Sequence, residues 1–139
     1  QNNIKNKQIE IELNIEKSHK VFADFLMIRT VITNLIANAI KFTYNKGLIK
    51  IYSKSLDEFI EISVEDNGVG IEQTNIDKLF KIDCQISTYG TNNETGTGLG
   101  LILCKEMIEK NNGKIGVESR KNLGSKFYFV LPKAQYNGN

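Results

Sequence analysis

Three short stretches carry residue types whose spacing could handle a phosphorylated ligand. "GTGLGL", residues 96–101, places three glycines in five positions and runs straight into the apolar stretch "LILCKEMI". A glycine-rich turn that opens a helix offers unpaired backbone N–H groups and the positive end of the helix dipole to an anion. Here those groups would be the N–H of Gly98, Leu99 and Gly100. Asn34, Asn38 and Lys41 lie at i, i+4 and i+7, so they form one polar stripe along a helix. Asn is a poor interior helix residue because its side chain competes for backbone groups. Amide oxygens suit Mg²⁺, which takes ligands from both protein and substrate phosphates, and Lys41 would add a point charge for the same phosphates. A helix edge that happens to be polar is the alternative.

The third stretch is "EDNGVGI", residues 65–71. "DNG" makes a good hairpin turn, and that reading stays open. Yet the residues beyond it read as helix and loop, not as a return strand. In the functional reading Asp66 accepts a hydrogen bond from an exocyclic amine such as the adenine N6. Gly68 and Gly70 then let the backbone approach the ring closely. An acceptor there favours adenine over guanine, which presents a carbonyl at the equivalent position.

Other nucleotide turns fit less well. A dinucleotide fingerprint needs a strand immediately before its glycines, whereas a long polar loop precedes Gly96. The P-loop string G-x-x-x-x-G-K-[ST] does not occur. A flexible joint remains as the plain reading of the glycine cluster.

These residues need elements to position them. "QIEIELNI" (residues 8–15) alternates as a half-buried strand does. Asp24 is a good N-cap for a long helix through "FLMIRTVITNLIANAIKFT", with Ile28, Ile32, Leu35, Ile36 and Ala39 on its core face and Gly47 stopping it. "LIKIYS" and "FIEISVE" read as a hairpin pair joined by "LDE", with Ile60, Ile62 and Val64 on one side. "NIDKLF" suggests a short helix. Residues 81–97 lack periodicity and are rich in Ser, Thr, Asn and Gly, as a functional lid would be. "LGLILCKEMIEKNN" is a second long helix with Gly113 as its stop. "KIGVES" and "SKFYFVLP" close the sheet, with Phe127, Phe129 and Leu131 pointing one way. The order implies a largely antiparallel sheet with helices on one face.

A chain of 139 residues with 40% hydrophobic and 24% charged residues reads as one soluble globular domain. A net charge of +2, with no Lys/Arg cluster along an element, argues against nucleic acid. Cys84 and Cys104 have no metal or redox spacing. No continuous apolar run approaches a bilayer-spanning length, and no signal peptide opens the chain. The start reads as a cut within a longer protein. His19, the single histidine, shows no evident partner and is expected at the surface.

Taken in order, "NLIANAIKFT", "EDNGVGI", "DKLF", "GTGLGL" and "GSKFYFVLP" resemble the catalytic, ATP-binding domain of two-component sensor histidine kinases. That domain belongs to the gyrase, Hsp90, histidine kinase and MutL group of ATPases. The resemblance runs from about Ile9 to Pro132 and implies one catalytic domain, residues 1–139, without the dimerisation and phosphoacceptor domain. It implies an α+β fold of the Bergerat type, a two-layer sandwich. In that fold a mixed, mostly antiparallel sheet of about five strands is covered on one face by three helices.

The resemblance also implies roles. Asn38 looks like the Mg²⁺-coordinating asparagine, with Asn34 a second candidate near the phosphates and Lys41 the phosphate-contacting lysine. Asn34, Asn38 and Lys41 would then be the catalytic set. Phe42 matches a ring beside the nucleotide and Asp66 the adenine-reading aspartate, followed by Gly68, Gly70 and Ile71. Phe80 resembles the phenylalanine that anchors the lid, and Gly96, Thr97, Gly98, Leu99 and Gly100 its closing turn. Implied cofactors are ATP and Mg²⁺. Implied partners are a histidine-containing dimerisation domain of the same parent and a response regulator receiver domain, with no nucleic acid and no direct membrane contact. The domain would be cytoplasmic, on a parent that could be anchored in the bacterial inner membrane.

Two positions depart from the pattern. Lys81 stands where many members carry an arginine, and would supply charge without a bidentate fork. Lys126 stands where threonine is frequent, which puts a polar contact near the base in doubt. A third position chooses the chemistry. Hydrolytic relatives place a water-activating glutamate one helical turn before the Mg²⁺ asparagine, whereas this chain has Asn34, and an amide is no base at neutral pH. Phosphoryl transfer to histidine is therefore the expected activity. A degenerate nucleotide-binding or protein-interaction module and an ATP hydrolase of the same group are the alternatives.

Overall fold

The computed structural model describes residues 7–80 and 99–134. Five strands form one sheet in the order β1-β2-β3-β5-β4: β1 Glu10–Asn14, β2 Leu48–Leu56, β3 Phe59–Asp66, β4 Lys114–Ser119 and β5 Ser125–Pro132. β1 runs parallel to β2, and the other three pairings are antiparallel. The parallel pair follows from what joins it, since parallel strands need a long crossover and α1 (Phe25–Phe42) supplies one. The remaining helices are α2, the single turn Gln73–Ile76, and α3, Leu99–Lys110. The sandwich expected from the sequence is present.

The sheet has two different faces, as the period-2 pattern demands. Val64, Phe127, Phe129 and Leu131 turn inward and are almost fully buried with Ile49, Leu35 and Ile108. On the opposite face Glu12, Lys50, Glu65, Lys126 and Glu118 fall in one row across all five strands, alternating in sign. Opposite charges on facing positions stabilise an exposed sheet surface modestly. Tyr52 and Tyr128 flank the row, with the Lys126 ammonium 6.0 Å and 5.6 Å from their ring centroids.

Asp24 caps α1 as expected, its carboxylate accepting from Met27 N–H at 2.9 Å. The buried line along α1 is Val31, Leu35, Ala39 and Ile40, while Ile28, Ile32 and Ile36 pack at its flank only partly covered. At 18 residues α1 is long and apolar enough to cross a membrane by length and composition. The sequence reading missed this because Arg29, Asn34 and Asn38 interrupt every apolar run. In the fold its apolar line is spent on the sheet and on α3.

Two expected helix stops are corrected. α1 ends at Phe42, with extended Thr43 as its cap, before the chain reaches Gly47. Gly47 is required for space: a Cβ there would stand 2.2 Å from Thr43 Cγ2. α3 ends in paired bonds from Asn112 N–H to Glu109 O and from Gly113 N–H to Ile108 O, so the left-handed residue is Asn112, at φ 65°. His19 is also corrected, because its Nδ1 lies 2.8 Å from Ser53 Oγ and the ring is partly buried.

A buried lysine lies at the far end of α1. Lys7 is 1% exposed, and its Nζ donates to the carbonyl oxygens of Ile40 at 2.8 Å and Lys41 at 3.0 Å. A cation at a helix C-terminus pairs with carbonyls that have no partner within the helix and with the negative end of the dipole. The Lys7 carbonyl in turn accepts from Lys46 N–H, tying the segment just before β1 to the turn after α1.

Candidate functional site

The "DNG" stretch is the end of β3 and the loop beyond it, with no return strand. Asp66 is the last residue of β3 and shares the inward parity of Ile60 and Val64. It is 6% exposed, and its Oδ1 accepts from Gly68 N–H at 2.8 Å. Burial pushes its carboxyl up to about 6, against the pull of backbone N–H donors from Gly68 and Ser125. An acidic group held so far from water, at the mouth of a hollow, has an environment that a bound donor would complete.

That hollow, about 730 Å³, opens where β3 stops and β5 begins, bordered by Asp66, Gln73, Ser119 and Ser125 and, on the charged face of the sheet, by Tyr52 and Lys126. Ile71 packs at the edge of the core, its N–H donating to Ser119 Oγ at 2.8 Å. Phe80 sets its ring edge-on against Phe127, centroids 6.5 Å apart, which fixes the chain just before residue 81.

Gly68 and Gly70 do permit close approach, but to the protein's own backbone. A Cβ on Gly68 would meet Phe42 O at 1.9 Å, and Val69 N–H donates to the same oxygen at 3.0 Å. A Cβ on Gly70, at φ +70°, would meet Arg120 O at 1.9 Å. The first contact presses the loop after Asp66 onto the last turn of α1. The aspartate is thereby brought beside the helix end that carries Asn38, Lys41 and Phe42.

On that helix end Asn38 and Lys41 are partly exposed, and the Lys41 ammonium stands 4.8 Å from the Phe42 ring centroid. Asn34 faces α3: a Cβ on Gly100 would lie 3.7 Å from Asn34 Oδ1. The neighbouring Cys104 thiol donates to Val31 O at 3.8 Å, and burial pushes it up to about 11 against a pull from the Asn34 side chain. Asn34 thus lies beside the start of the helix opened by the glycine turn. Asn38 and Lys41 do not border the hollow at Asp66, although the loop joins the two places. Lys81, Gly96, Thr97 and Gly98 lie outside the described residues, as does Cys84; Leu99 and Gly100 begin α3.

Lys126 sits on the helix-free face of the sheet, in the charged row and between two tyrosines. Its side chain contributes to that surface and also borders the hollow at Asp66. Sequence reasoning missed Ser119, Ser125 and Gln73. The only signal was two serines flanking a short β4–β5 turn, which becomes a cross-strand pair once the register is set.

A mixed five-stranded sheet with helices on one face, and a buried aspartate in a glycine loop docked on the helix of Asn38, define a class of ATPase domain. A family model for histidine kinase-, DNA gyrase B- and HSP90-like ATPases matches residues 23–135, and the chain belongs to that family. It is 38% identical over 115 residues to the sensor histidine kinase RcsC of Escherichia coli, covering 81% of this chain and 12% of RcsC. Among solved structures it resembles the nucleotide-free catalytic domain of the histidine kinase ThkA, with TM-score 0.80 and 32% identity over 96% of this chain and 86% of that one. It also resembles full-length ShkA in complex with AMPPNP, with TM-score 0.79 and 26% identity over 97% of this chain and 28% of ShkA. The chain therefore corresponds to the ATP-binding catalytic domain of sensor histidine kinases, and it spans about an eighth of RcsC's length, 12%.

Proposed function

We propose that this chain, as a single domain with its core over residues 9–132, binds ATP with Mg²⁺. Within its parent it then transfers the terminal phosphoryl group to a histidine of a separate dimerisation domain. The carrying observation is the Asp66 carboxylate. It is buried, with Oδ1 held by Gly68 N–H, and it borders a hollow at the end of the sheet. Its remaining acceptor capacity suits an exocyclic amine, which selects adenine over guanine.

The residues present fit the rest of the nucleotide. Asn38 offers an amide oxygen of the kind Mg²⁺ accepts, Lys41 an ammonium one turn on, and both stand on the turn against which the Asp66 loop is pressed. Mg²⁺, when bound, neutralises phosphate charge. Lys41 and Lys81 would balance the negative charge that develops during transfer, and residues 96–100 would close over the phosphates with their backbone N–H groups. Asn34 supports transfer over hydrolysis, because no carboxylate stands at that position to activate water.

The acceptor histidine, a response regulator receiver domain and a cytoplasmic placement beneath a membrane-anchored parent complete the reading. Calorimetric titration with Mg·ATP and Mg·GTP is expected to show binding of the first and much weaker binding of the second. Mixing the chain with its parent's helical histidine domain and labelled ATP is expected to label that domain in trans. Rapid phosphate release with no label on the histidine domain would overturn transfer in favour of hydrolysis. Absence of nucleotide binding would leave a protein-interaction module.

A further inference from the structure

Ser119, the last residue of β4, is joined to three segments at once. Its Oγ accepts from Ile71 N–H at 2.8 Å, donates to Gly124 O at 2.8 Å, and lies 2.7 Å from Ser125 Oγ. A hydroxyl has one donor and two acceptor sites, so these bonds saturate it and make Ser125 O–H the donor of the third. The Ser119 carbonyl accepts from Gln73 Nε2 at 2.7 Å. One residue therefore fastens the loop after β3, the start of α2 and the β4–β5 turn.

That seam ends on the base-reading carboxylate. Ser125, at the far side of the Ser119 bond, stands directly opposite Asp66 in the β3–β5 register, and its backbone N–H draws the Asp66 carboxyl down. Gly124, whose carbonyl takes the Ser119 proton, is so close to β3 that a Cβ there would stand 2.2 Å from Asp66 O. Asn122 N–H donates to Val69 O at 2.5 Å, closing the same seam from the turn. Asp66 is thus oriented from its own loop through Gly68 and from β5 through Ser125, and Ser119 holds both supports in register.

We infer that Ser119 is a positioning residue for base selection, setting the Asp66 carboxylate through Ser125 and Ile71; this rests on the nucleotide reading above. Ser119→Ala would leave Ile71 N–H without its partner and Gly124 O with only the long bond from Arg120 N–H at 3.4 Å, loosening the base end. The turn of Asn38 and Lys41 makes no contact with Ser119 among the interactions described.

The test is competition of ATP and of GTP, each with Mg²⁺, against a fluorescent ATP analogue on the 139-residue chain. The preference for ATP over GTP is expected to fall about tenfold in Ser119→Ala, the scale of one buried hydrogen bond. Ser119→Thr, which keeps the hydroxyl, is expected to retain that preference. An unchanged preference in Ser119→Ala, even with both affinities lowered equally, would overturn the inference, as would an equal loss in Ser119→Thr. If circular dichroism shows Ser119→Ala unfolded, Ser125→Ala is measured instead, since it deletes only the hydroxyl link. A reduced preference there supports the inference, and an unchanged one overturns it. A wild-type chain with no preference for ATP would refute the base reading itself, separately from Ser119.

Discussion

Replacing Asp66 by Asn should make the empty domain more stable while weakening its hold on ATP, and the gain should depend on pH. In the fold, burial raises the Asp66 pKa from the ordinary 3.8 to about 6. A pKa difference of one unit corresponds to about 1.4 kcal/mol, so holding this carboxylate charged costs about 3 kcal/mol. Below pH 3.8 the group is protonated in both folded and unfolded chains, and no cost is present. Between pH 3.8 and about 6 the unfolded chain has released the proton while the folded one keeps it, so stability falls as pH rises. Above about pH 6 the full cost is present and the slope vanishes.

The amide of Asp66→Asn carries no charge at any of these pH values and can still accept from Gly68 N–H. Urea unfolding of both proteins from pH 4 to pH 8 isolates the effect, because every other titrating group cancels in the difference. The variant's stability relative to wild type is expected to climb by about 2–3 kcal/mol between pH 4 and pH 7, then level off. With Oδ1 held by Gly68, the variant turns an NH₂ toward the exocyclic amine of adenine, so ATP binding should fall at least about tenfold. A stability difference that is flat with pH, or that shrinks as pH rises, would refute the claim that burial dominates the environment of Asp66.

Gly68→Ala places a Cβ 1.9 Å from a backbone carbonyl that cannot swing aside, and should destabilise the domain by about 3 kcal/mol in denaturant unfolding. Lys7→Met removes two buried charge-assisted bonds at the end of α1 and should cost about 2–3 kcal/mol, read as a lower urea midpoint at unchanged slope. Asp24→Ala deletes the α1 cap and should cost about 1 kcal/mol by the same measurement, without altering ATP affinity.

The elements were legible because each is specified over a few residues. The alternation of "FIEISVE" and "SKFYFVLP" announced half-buried strands, and Asp24 announced the start of α1, since a cap acts across a single turn. The site was legible only as residue types. Asp66 was marked by its flanking glycines, and in the fold those glycines make room for the chain's own backbone. A position that must lack a Cβ looks the same in sequence whether a ligand or the chain's own backbone needs the room. The placement of Phe42 O over Gly68 and Arg120 O over Gly70 shows that the backbone's own need is present.

What stayed hidden was every contact made across distance in the chain. Lys7 reaches a carbonyl 33 residues away, and Ser119 reaches an amide 48 residues away; nothing local distinguishes either from a surface Lys or Ser. Both act on opposite ends of one joint. Lys7 secures the last turn of α1 from below, Gly68 lets the Asp66 loop settle on that turn, and Ser119 secures the loop from the β4–β5 side. The separation between the Asp66 carboxylate and the end of α1, the two sides of the proposed nucleotide site, is therefore set by backbone packing at Phe42 and held from each side by one polar side chain. A change in nucleotide affinity need not come from a residue that touches nucleotide, and in this domain the joint at Phe42 is where such indirect effects should concentrate.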